Sequence, residues 1–321
     1  MPAPTRDARI PTLRVGPFHA AHGGSVSGHG HAPIRRLAVI GLGLIGGSLA
    51  RALRAAGAVG SIAGFDTDPE QVRQAQTLGV IEIAATSAEQ AVKGADVVLI
   101  AVPVLATGAA LRACAPALKP EMIITDVGST KQSVLAAARE VFGDLPPRFV
   151  PAHPIAGTEK SGVAHSHAEL FRGHRVILTP HERQDEAAQG QVAWLWQAAG
   201  ARVVTMEPQR HDQIFAATSH LPHLLAYSFV DMLGRLEGAE ADLFPNAGGG
   251  FRDFTRIASS SPRMWHDILR ANAQPVAELL RRQIAELQEL HELIEQQRWD
   301  ALLGIFERAR AARERHLARI E

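Results

Sequence analysis

The chain has 321 residues, 46% of them hydrophobic, and its 33 acidic side chains balance its 33 basic ones. This length predicts about two domains with cores of their own. The charge balance gives no global field that would attract nucleic acid, and no apolar run approaches the roughly 20 residues of a membrane-spanning helix, so neither partner is expected. A single cysteine, Cys114, cannot form an internal disulfide, which favours a reducing, cytoplasmic location.

Residues 1–33 are rich in Pro, Gly, Ala and His and show no apolar periodicity, so we predict a disordered N-terminal tail. The tail contains four histidines, but no cysteine or acid is spaced to complete a metal site with them. No metal is therefore predicted. These histidines are His19, His22, His29 and His31.

Residues 34–206 alternate short apolar runs with helix-forming segments, which predicts a Rossmann-type, doubly wound α/β domain that binds a dinucleotide. The first apolar run is followed by three glycines and a helix-prone segment. In this context the glycines permit a tight turn, close approach of a pyrophosphate and packing of the helix on the strand. The predicted cofactor contacts in the turn are Gly41, Gly43, Leu44, Ile45 and Gly46.

Asp66 ends the next apolar run, twenty positions after Gly46. A carboxylate there can accept hydrogen bonds from both ribose hydroxyls and repels a 2′-phosphate, so NAD is favoured over NADP. The alternative is that Asp66 only caps the helix that begins near Pro69. A further apolar run ends at Val102 and Pro103, which we expect to border the nicotinamide side of the crevice.

The following segments continue the alternation. A strand predicted at 122–126 leads into Ser129, which is placed to be the N-cap of a helix over 132–141. A second helix is predicted at 185–199. The remaining strands are expected in the same doubly wound sheet, at 148–150, 175–178 and 202–205.

The segment 150–162 contains His153, Glu159 and Lys160 but has neither helical nor strand periodicity. A segment of this kind usually gains its order from contacts elsewhere, often with a ligand. It also separates the α/β part from a helical part. We therefore expect His153 at a domain junction, where small-molecule sites are common.

Residues 207–321 change to helical periodicity, which predicts an all-α C-terminal domain for substrate binding and dimerisation. Three glycines at 248–250 lie beside Arg252 and Arg256, so we expect close backbone approach next to positive charge, made either by an anionic substrate or by a second subunit. Helices are predicted to begin at Pro262 and Pro275, and two helices are expected after about residue 290. The narrow core of this domain and the apolar stripe of the helix from Pro275 predict a homodimer.

Five motifs together resemble those of one family, the prephenate dehydrogenases, with their arogenate and cyclohexadienyl relatives. The resemblance extends from about Arg36 to Leu290, which is most of the chain. The motif at 41–48 is shared with many dehydrogenases, whereas those at 153–162 and 248–258 are specific. In order they are GLGLIGGS at 41–48, DVGSTK at 126–131, HPIAGTEKSG at 153–162, SHLPH at 219–223 and GGGFRDFTRIA at 248–258.

The resemblance implies NAD-dependent oxidative decarboxylation of prephenate to 4-hydroxyphenylpyruvate in tyrosine biosynthesis, with arogenate or dual specificity as the alternative. It implies that neutral His153 accepts the proton of the ring hydroxyl, which suits an imidazole with a solution pKa of about 6.5. Ser129 resembles a serine that hydrogen-bonds near the same hydroxyl and the nicotinamide. Arg256 resembles an arginine that binds a substrate carboxylate, and Arg252 is the less favoured candidate.

The same resemblance implies secondary roles for other residues. Glu159 resembles a residue that orders or gates the pocket through ionic contacts, and His223 resembles a polar contact to the substrate side chain. His220 is expected to be structural, and Lys131 and Lys160 are expected to hold loops.

Two other classes of function stay open. A reductase of 2-hydroxy acids or imines usually needs a lysine on a helix of the second domain, and none follows Lys160. A non-catalytic protein that senses NAD would leave the histidine and arginine motifs unexplained.

Overall fold

The computed structural model describes residues 33–240 and 243–317. Its first part is a parallel α/β structure and its second part consists of helices, which confirms the predicted fold class. The predicted tail, 1–33, lies outside the described residues except for Pro33, which is exposed. Among the helices of the described ranges, none combines the length and apolarity that a membrane crossing needs.

The first sheet contains six parallel strands: β1 (Ile34–Ile40), β2 (Val59–Phe65), β3 (Ile83–Ala84), β4 (Val97–Ile100), β5 (Ile123–Asp126) and β6 (Phe149–Val150). Their order is β3-β2-β1-β4-β5-β6. Ile40, the last residue of β1, is paired with Phe65 and with Ile100, and Ile100 is paired with Asp126. The loops after these four strands therefore emerge at one edge, where the strand order reverses beside β1.

Helices cover both faces of this sheet: α1 (Leu44–Ala55), α2 (Pro69–Thr77), α3 (Ala88–Val92), α4 (Thr107–Cys114), α5 (Lys131–Phe142) and α6 (Glu186–Ala198). Successive strand residues point to opposite faces, so both faces of a central strand must be apolar. Leu37 and Val39 of β1 join one apolar cluster with α1 and α6, and Ala38 and Ile40 join the other with α3, α4 and α5.

The later strands form a second sheet, so the prediction of one continuous doubly wound sheet is wrong. Strands β7 (Ala152–Pro154), β8 (Arg175–Leu178) and β9 (Arg202–Thr205) are ordered β7-β8-β9, with β7 antiparallel to β8. Pro151 separates β6 from β7 and has no backbone N–H for a ladder, so the chain leaves the first sheet there. His153 lies in β7, although the sequence predicted an irregular segment there. The prediction failed because a strand of three residues is too short to show an alternating pattern.

The second part of the chain consists of helices: α7 (Pro208–Phe215), a π-helical turn (Ala216–His220), α8 (Leu221–Glu240), α9 (Gly249–Thr255), α10 (Pro262–Ala271), α11 (Ala273–Glu295) and α12 (Trp299–Leu317). The π turn joins α7 to α8 without a break, so that one rod extends from Pro208 to Glu240. Trp265 and Ile268 of α10 pack into the apolar cluster of α3–α5, which fixes the helical part against the first sheet.

The predicted start of α10 at Pro262 is confirmed, and Ser261 caps it by accepting the N–H of Met264. Two other boundaries were wrong. α11 begins at Ala273, because proline is tolerated within the first turn of a helix and need not start it. α11 also continues past residue 290 to Glu295, so α12 is the one helix that follows it within the described residues.

Candidate active site

The glycine turn after β1 leaves an open, uncapped helix N-terminus. Gly41 has a φ of +100°, and a Cβ there would lie 2.3 Å from the carbonyl oxygen of Ala101, so glycine is required between β1 and β4. A Cβ at Gly46 would lie 2.3 Å from the carbonyl oxygen of Gly41, so α1 packs directly on the turn. Gly43 is the N-cap of α1 and provides no side-chain cap, and no described atom lies within 4 Å of a Cβ built on it. This turn fits a dinucleotide pyrophosphate held by the first N–H groups of α1.

Asp66 follows β2 at the same edge and braces the glycine turn. Its Oδ2 accepts the backbone N–H of Leu42 at 2.7 Å, and its Oδ1 accepts that of Asp68 at 2.9 Å. The cap of α2 is Asp68, which accepts the N–H of Glu70 at 2.9 Å, so the simple capping role considered for Asp66 is wrong. Because a carboxylate oxygen can accept more than one hydrogen bond, Asp66 also fits the predicted contact with ribose hydroxyls.

Val102 and Pro103 follow β4 next to the glycine turn. The N–H of Ala101 donates to the carbonyl oxygen of Ile40 at 2.7 Å, which extends the pairing of β1 and β4 to the crevice. Val102 packs, partly buried, against the cluster of α3–α5, whereas Pro103 is exposed. Both residues therefore border the crevice at the reversal of strand order.

Ser129 lies at the same edge, in the loop between β5 and α5. Asp126 shapes this loop by accepting the N–H of Gly128 at 2.7 Å. The N-cap of α5 is Thr130, whose backbone is extended (φ −131°, ψ 137°), so the prediction of Ser129 as the cap is wrong by one residue. Half-buried Ser129 is therefore not engaged in capping and stays a candidate for ligand contact.

His153 is the buried imidazole at the junction of the two parts, with 9% of its surface exposed. Its Nδ1 is 2.8 Å from Nε2 of His211 on α7. Its ring meets that of Phe215 edge-on, with centroids 4.9 Å apart. Nδ1 of His211 lies in turn 2.8 Å from Oδ1 of Asp212. The geometry therefore places two residues that the sequence analysis did not single out directly behind His153.

A buried ionic network supports these rings. Asp212 accepts the backbone N–H groups of Lys131 at 2.7 Å and Gln132 at 2.9 Å, which joins α7 to the start of α5. The side chain of Lys131 is fully buried. Its Nζ donates to Asp126 Oδ2 and to the carbonyl oxygen of Ala152, both at 2.6 Å. Lys131 thus holds the end of β5 and the residue before His153, a structural task of the kind expected for it.

The surroundings of His153 favour the uncharged imidazole. Burial lowers the pKa of His153 well below its ordinary value, and the neighbouring His211 and the ammonium of Lys131 add to this effect. Burial also lowers the pKa of His211, although Asp212 opposes the change. Near neutral pH the site therefore holds a base with a free lone pair, as general base catalysis needs.

Arg256 and Glu159 form an ion pair at the other end of the candidate site. Arg256 follows α9, and Glu159 lies six residues after His153 in the chain. Both side chains meet solvent, with 64% of Arg256 and 39% of Glu159 exposed. The backbone N–H of Glu159 itself and the guanidinium of Arg256 lower the pKa of this carboxyl.

His223 and Trp265 are neighbours of both Arg256 and the buried His220, since Arg256 acts on the pKa of His223 and the Trp265 ring meets that of His220 with centroids 6.0 Å apart. The His223 ring stacks on the indole of Trp265 with centroids 3.5 Å apart, and its Nδ1 is 2.8 Å from the carbonyl oxygen of Ser219. Burial lowers the pKa of His223, and the charge of Arg256 contributes. His220 is buried, and its Nδ1 lies 3.0 Å from Nδ2 of Asn272, which agrees with the structural role expected for it.

The glycine triplet is open within the described residues. No described atom lies within 4 Å of a Cβ built at any of residues 248–250, so approach of an anionic substrate or of a second subunit to these glycines stays a prediction. Gly248 instead serves as the N-cap of α9. Arg252 is exposed in the last turn of α9, and the ion pair with Glu159 is made by Arg256.

Sequence reasoning missed three side chains that the fold brings to this site: His211, Asp212 and Trp265. A signal for the first two was present, since a histidine and an aspartate stand side by side in a helix that Pro208 opens. Trp265 gave no signal of its own, because an indole at helical spacing predicts a core position equally well.

A phosphate-binding glycine turn and a carboxylate after β2 at one edge of a doubly wound sheet, with a buried neutral imidazole in the strand that packs beside the end of β5, define the class of NAD-dependent dehydrogenases. Comparison with known proteins narrows this class. Residues 49–205 match the prephenate dehydrogenase nucleotide-binding domain, and residues 207–308 match the prephenate dehydrogenase dimerization domain. The chain belongs to the prephenate dehydrogenase family.

Individual relatives agree with this assignment. The chain is 39% identical to a cyclohexadienyl dehydrogenase of Zymomonas mobilis over 87% of its length and 95% of that protein. It is 40% identical to a prephenate dehydrogenase of Bacillus subtilis over 85% of its length and 74% of that protein. The crystal structure of prephenate dehydrogenase from A. aeolicus with hydroxyphenyl propionate and NAD+ superposes with a TM-score of 0.81 and 36% identity, covering 87% of this chain and 97% of that one. The nucleotide-binding domain and the NAD+ of this relative confirm the predicted cofactor, NAD.

Proposed function

We propose that this protein catalyses the NAD-dependent oxidative decarboxylation of prephenate to 4-hydroxyphenylpyruvate in tyrosine biosynthesis. The observation that carries the proposal is His153, a buried and uncharged imidazole next to Ala152, whose backbone N–H donates to Asp126 at the end of β5. The names of the relatives in Bacillus subtilis and A. aeolicus support the choice of substrate.

The reaction end of the site has to remove a proton and a hydride from the same alcohol. His153 accepts the hydroxyl proton, and Ser129 supports the hydroxyl from the loop after β5. When bound, NAD+ supplies the hydride acceptor. The carboxylate on the opposite ring carbon leaves as CO2, its bonding electrons complete the aromatic ring, and His153 returns the proton to the phenolate oxygen. Burial serves this step because it keeps His153 unprotonated until the alcohol arrives.

The recognition end has to bind an anion. Arg256 is the planar, permanently charged group suited to a carboxylate. Its exposed pairing with Glu159 stabilises the site only weakly, so a substrate carboxylate can compete for the guanidinium. Glu159 then orders the loop around the bound substrate, and His223 contacts the substrate side chain. Arg252, exposed one turn before Arg256, is the second choice for the carboxylate.

Arogenate is the alternative substrate, either alone or together with prephenate. The cyclohexadienyl dehydrogenase of Zymomonas mobilis, whose length is almost fully covered, favours it. Arogenate carries an ammonium where prephenate has a keto group, and Glu159 provides a carboxylate that could pair with it. The two substrates differ only at this distal side chain, so the chemistry at His153 is the same for both.

Initial rates with prephenate and arogenate, each with NAD+ and NADP+, test the proposal. We expect NADH absorbance to rise and CO2 to be released with prephenate and NAD+. The rate with NADP+ should be much lower, because Asp66 repels the 2′-phosphate. Folded protein that binds NAD+ but reduces none with either substrate would contradict the proposal.

We further propose that the helical region forms a homodimer. It exposes large apolar side chains that a single chain leaves uncovered, and the matched family domain is described as a dimerization domain. Those on α11 and α12 are Ile284, Leu287, Ile294, Trp299, Leu303 and Phe306, each 47% to 56% exposed.

Sedimentation equilibrium tests the dimer. The double variant Leu287→Glu/Leu303→Glu should be monomeric, since it places two carboxylates in the apolar surface. Leu78→Glu is the matched control, because Leu78 is similarly exposed (43%) but lies just after α2 in the first part of the chain. A double variant that sediments like the natural protein would contradict this interface.

The division into a dinucleotide-binding domain (34–206) and a substrate and dimerisation domain (207–321) is also our proposal. The matches to the two family domains support this division, because the first match ends at residue 205 and the second begins at residue 207. A cytoplasmic location stays a prediction from the sequence.

A further inference from the structure

Three side chains form an unbroken hydrogen-bonded chain behind the proposed base. Asp212 contacts His211 at 2.8 Å, and His211 contacts His153 at 2.8 Å. Asp212 and His211 are almost fully buried, with 3% and 0% of their surfaces exposed. We call these three residues the relay. In a buried relay every proton position matters, because a ring nitrogen that faces a like partner leaves a buried polar group unsatisfied.

The proton positions follow from the end of the relay. Asp212 accepts backbone N–H groups on both oxygens, from Lys131 on Oδ1 and from Gln132 on Oδ2. It therefore acts as an acceptor-only carboxylate, and Nδ1 of His211 must carry a proton to meet it. Neutral His211 then presents a lone pair on Nε2, which requires the proton of His153 to be on Nδ1.

We infer that Asp212, acting through His211, fixes His153 as the tautomer that has its proton on Nδ1 and its lone pair on Nε2. Asp212 and His211 are positioning residues, and Nε2 of His153 is the atom that takes the proton of the substrate hydroxyl. This inference rests on the proposed function for its chemical meaning. The proton assignment itself rests on the geometry of the relay and on the burial that keeps His211 uncharged.

The relay also has a task after proton transfer. Once Nε2 of His153 is protonated, both ring nitrogens carry hydrogen, and the Nδ1–H still donates to His211. The carboxylate of Asp212 then faces the new positive charge across one imidazole. Other charged or titratable groups around the rings are Lys131 and Asp126, which pair with each other, and His220. Of the acids around the two rings, Asp126 and Asp212, Asp212 is thus the one that is hydrogen-bonded to an imidazole.

Nitrogen-15 NMR of histidine-labelled protein reads the tautomers directly. The spectrum is recorded near neutral pH without substrate or coenzyme, and the His153 signals are assigned by their loss in His153→Asn. We expect a protonated Nδ1 and an unprotonated Nε2 for His153, and a protonated Nδ1 for His211. A protonated Nε2 on neutral His153 would overturn the inference.

Paired variants test the consequence for turnover. His211→Phe removes the acceptor for the His153 proton and should lower kcat roughly 10- to 100-fold, because a buried donor is left unsatisfied. KM should change little. His211→Gln offers an amide oxygen at a similar position and should recover most of the activity. Asp212→Asn should move His153 toward a mixture of tautomers in the NMR spectrum.

His181→Phe is the matched control for changing a buried, hydrogen-bonded histidine. Its Nε2 lies 3.0 Å from the carbonyl oxygen of Phe149, outside the relay, and the variant should keep the tautomer of His153. Equal activity losses in His211→Phe and His211→Gln would contradict the relay. The spectrum is recorded without turnover, so it tests the tautomers independently of the proposed function. A protein inactive on prephenate can still show the inferred tautomers. An active protein can show the opposite tautomer, which would refute this inference and leave the proposed function standing.

Discussion

The two ends of the candidate site are built in opposite ways. At the reaction end, His153, His211, Asp212 and Lys131 are at most 9% exposed, and hydrogen bonds join the two rings, the Asp212 carboxylate and the Lys131 ammonium to named partners, while Nε2 of His153 faces the proposed substrate. At the recognition end, Arg256 and Glu159 form a direct ion pair that is exposed to solvent. Buried polar groups are costly to leave unpaired, whereas an exposed ion pair contributes about 0–1 kcal/mol. Under the proposed function, the protein therefore fixes the atoms that react and leaves the anion-binding groups free to exchange partners.

The largest effect is expected from removing the base at the buried end. His153→Asn should lower kcat roughly 10²–10⁴-fold, because the hydroxyl proton loses its acceptor. KM for the substrate should change much less, since the carboxylate is bound at the other end. Steady-state kinetics measures both constants, and coenzyme affinity serves as a check on folding. Turnover retained with weakened binding would reassign His153 to recognition.

Next in size is the effect on stability of breaking the buried ion pair. Lys131→Met leaves the Asp126 carboxylate without its cation and should reduce the free energy of unfolding by about 3–5 kcal/mol. The double variant Asp126→Asn/Lys131→Met removes both charges and should lose less. Denaturant unfolding of the two proteins measures the difference. If the double variant is the less stable of the two, the desolvated charge does not dominate here.

A smaller effect is expected at the open end. Arg256→Ala should raise KM about 10- to 100-fold with a modest change in kcat, as expected for a lost hydrogen bond to a charged group. Arg252→Ala is the matched control from the same helix and should raise KM less. An unchanged KM in Arg256→Ala would move the carboxylate contact to Arg252.

The last expected effect is gradual and depends on pH. Burial lowers the pKa of His220 to about 4 and also lowers those of His153, His211 and His223. Below the unfolded value of about 6.5, the unfolded chain binds protons that the native protein does not. Stability is therefore fully present above about pH 6.5 and is lost as the pH falls, by up to about 1.4 kcal/mol per pH unit for each histidine.

Denaturant midpoints at about pH 7 and about pH 5 measure this slope. His220→Gln should flatten it, because one of the contributing histidines is gone. A slope that stays the same in this variant would assign the loss of stability to other groups.

The sequence predicted the regular parts of the fold well, because strong periodicity and glycine spacing encode them locally. The turn at Gly41 and the strand that ends at Asp66 are examples. It failed where the outcome depends on a few residues and on distant contacts. Strand β7 is too short to alternate visibly, and the choice of Thr130 over Ser129 as N-cap depends on a backbone angle that either residue could adopt.

In the candidate site, too, residues within local motifs were predicted, whereas contacts between distant segments were not. Motifs identified His153, Arg256 and Glu159, and the fold brings Arg256 to Glu159 although 97 positions separate them. The relay could not be derived, because His211 reaches His153 only after α7 has docked on β7. The two histidines are 58 positions apart, and nothing in the sequence indicates that their side chains are in contact.

The π-helical turn at Ala216–His220 sets the rotational phase of the rod that carries His211 at one end and His223 beyond the turn. A π turn holds one residue more than the α-helix would, and each helical residue corresponds to about 100° of rotation. Deleting a single residue there would restore regular winding and swing every later side chain of the rod by about a quarter of a revolution. His223 would then leave the indole of Trp265 while His211 kept its place. The one additional residue of the π turn thus determines the angle between the side chains of His211 and His223 around the axis of the rod.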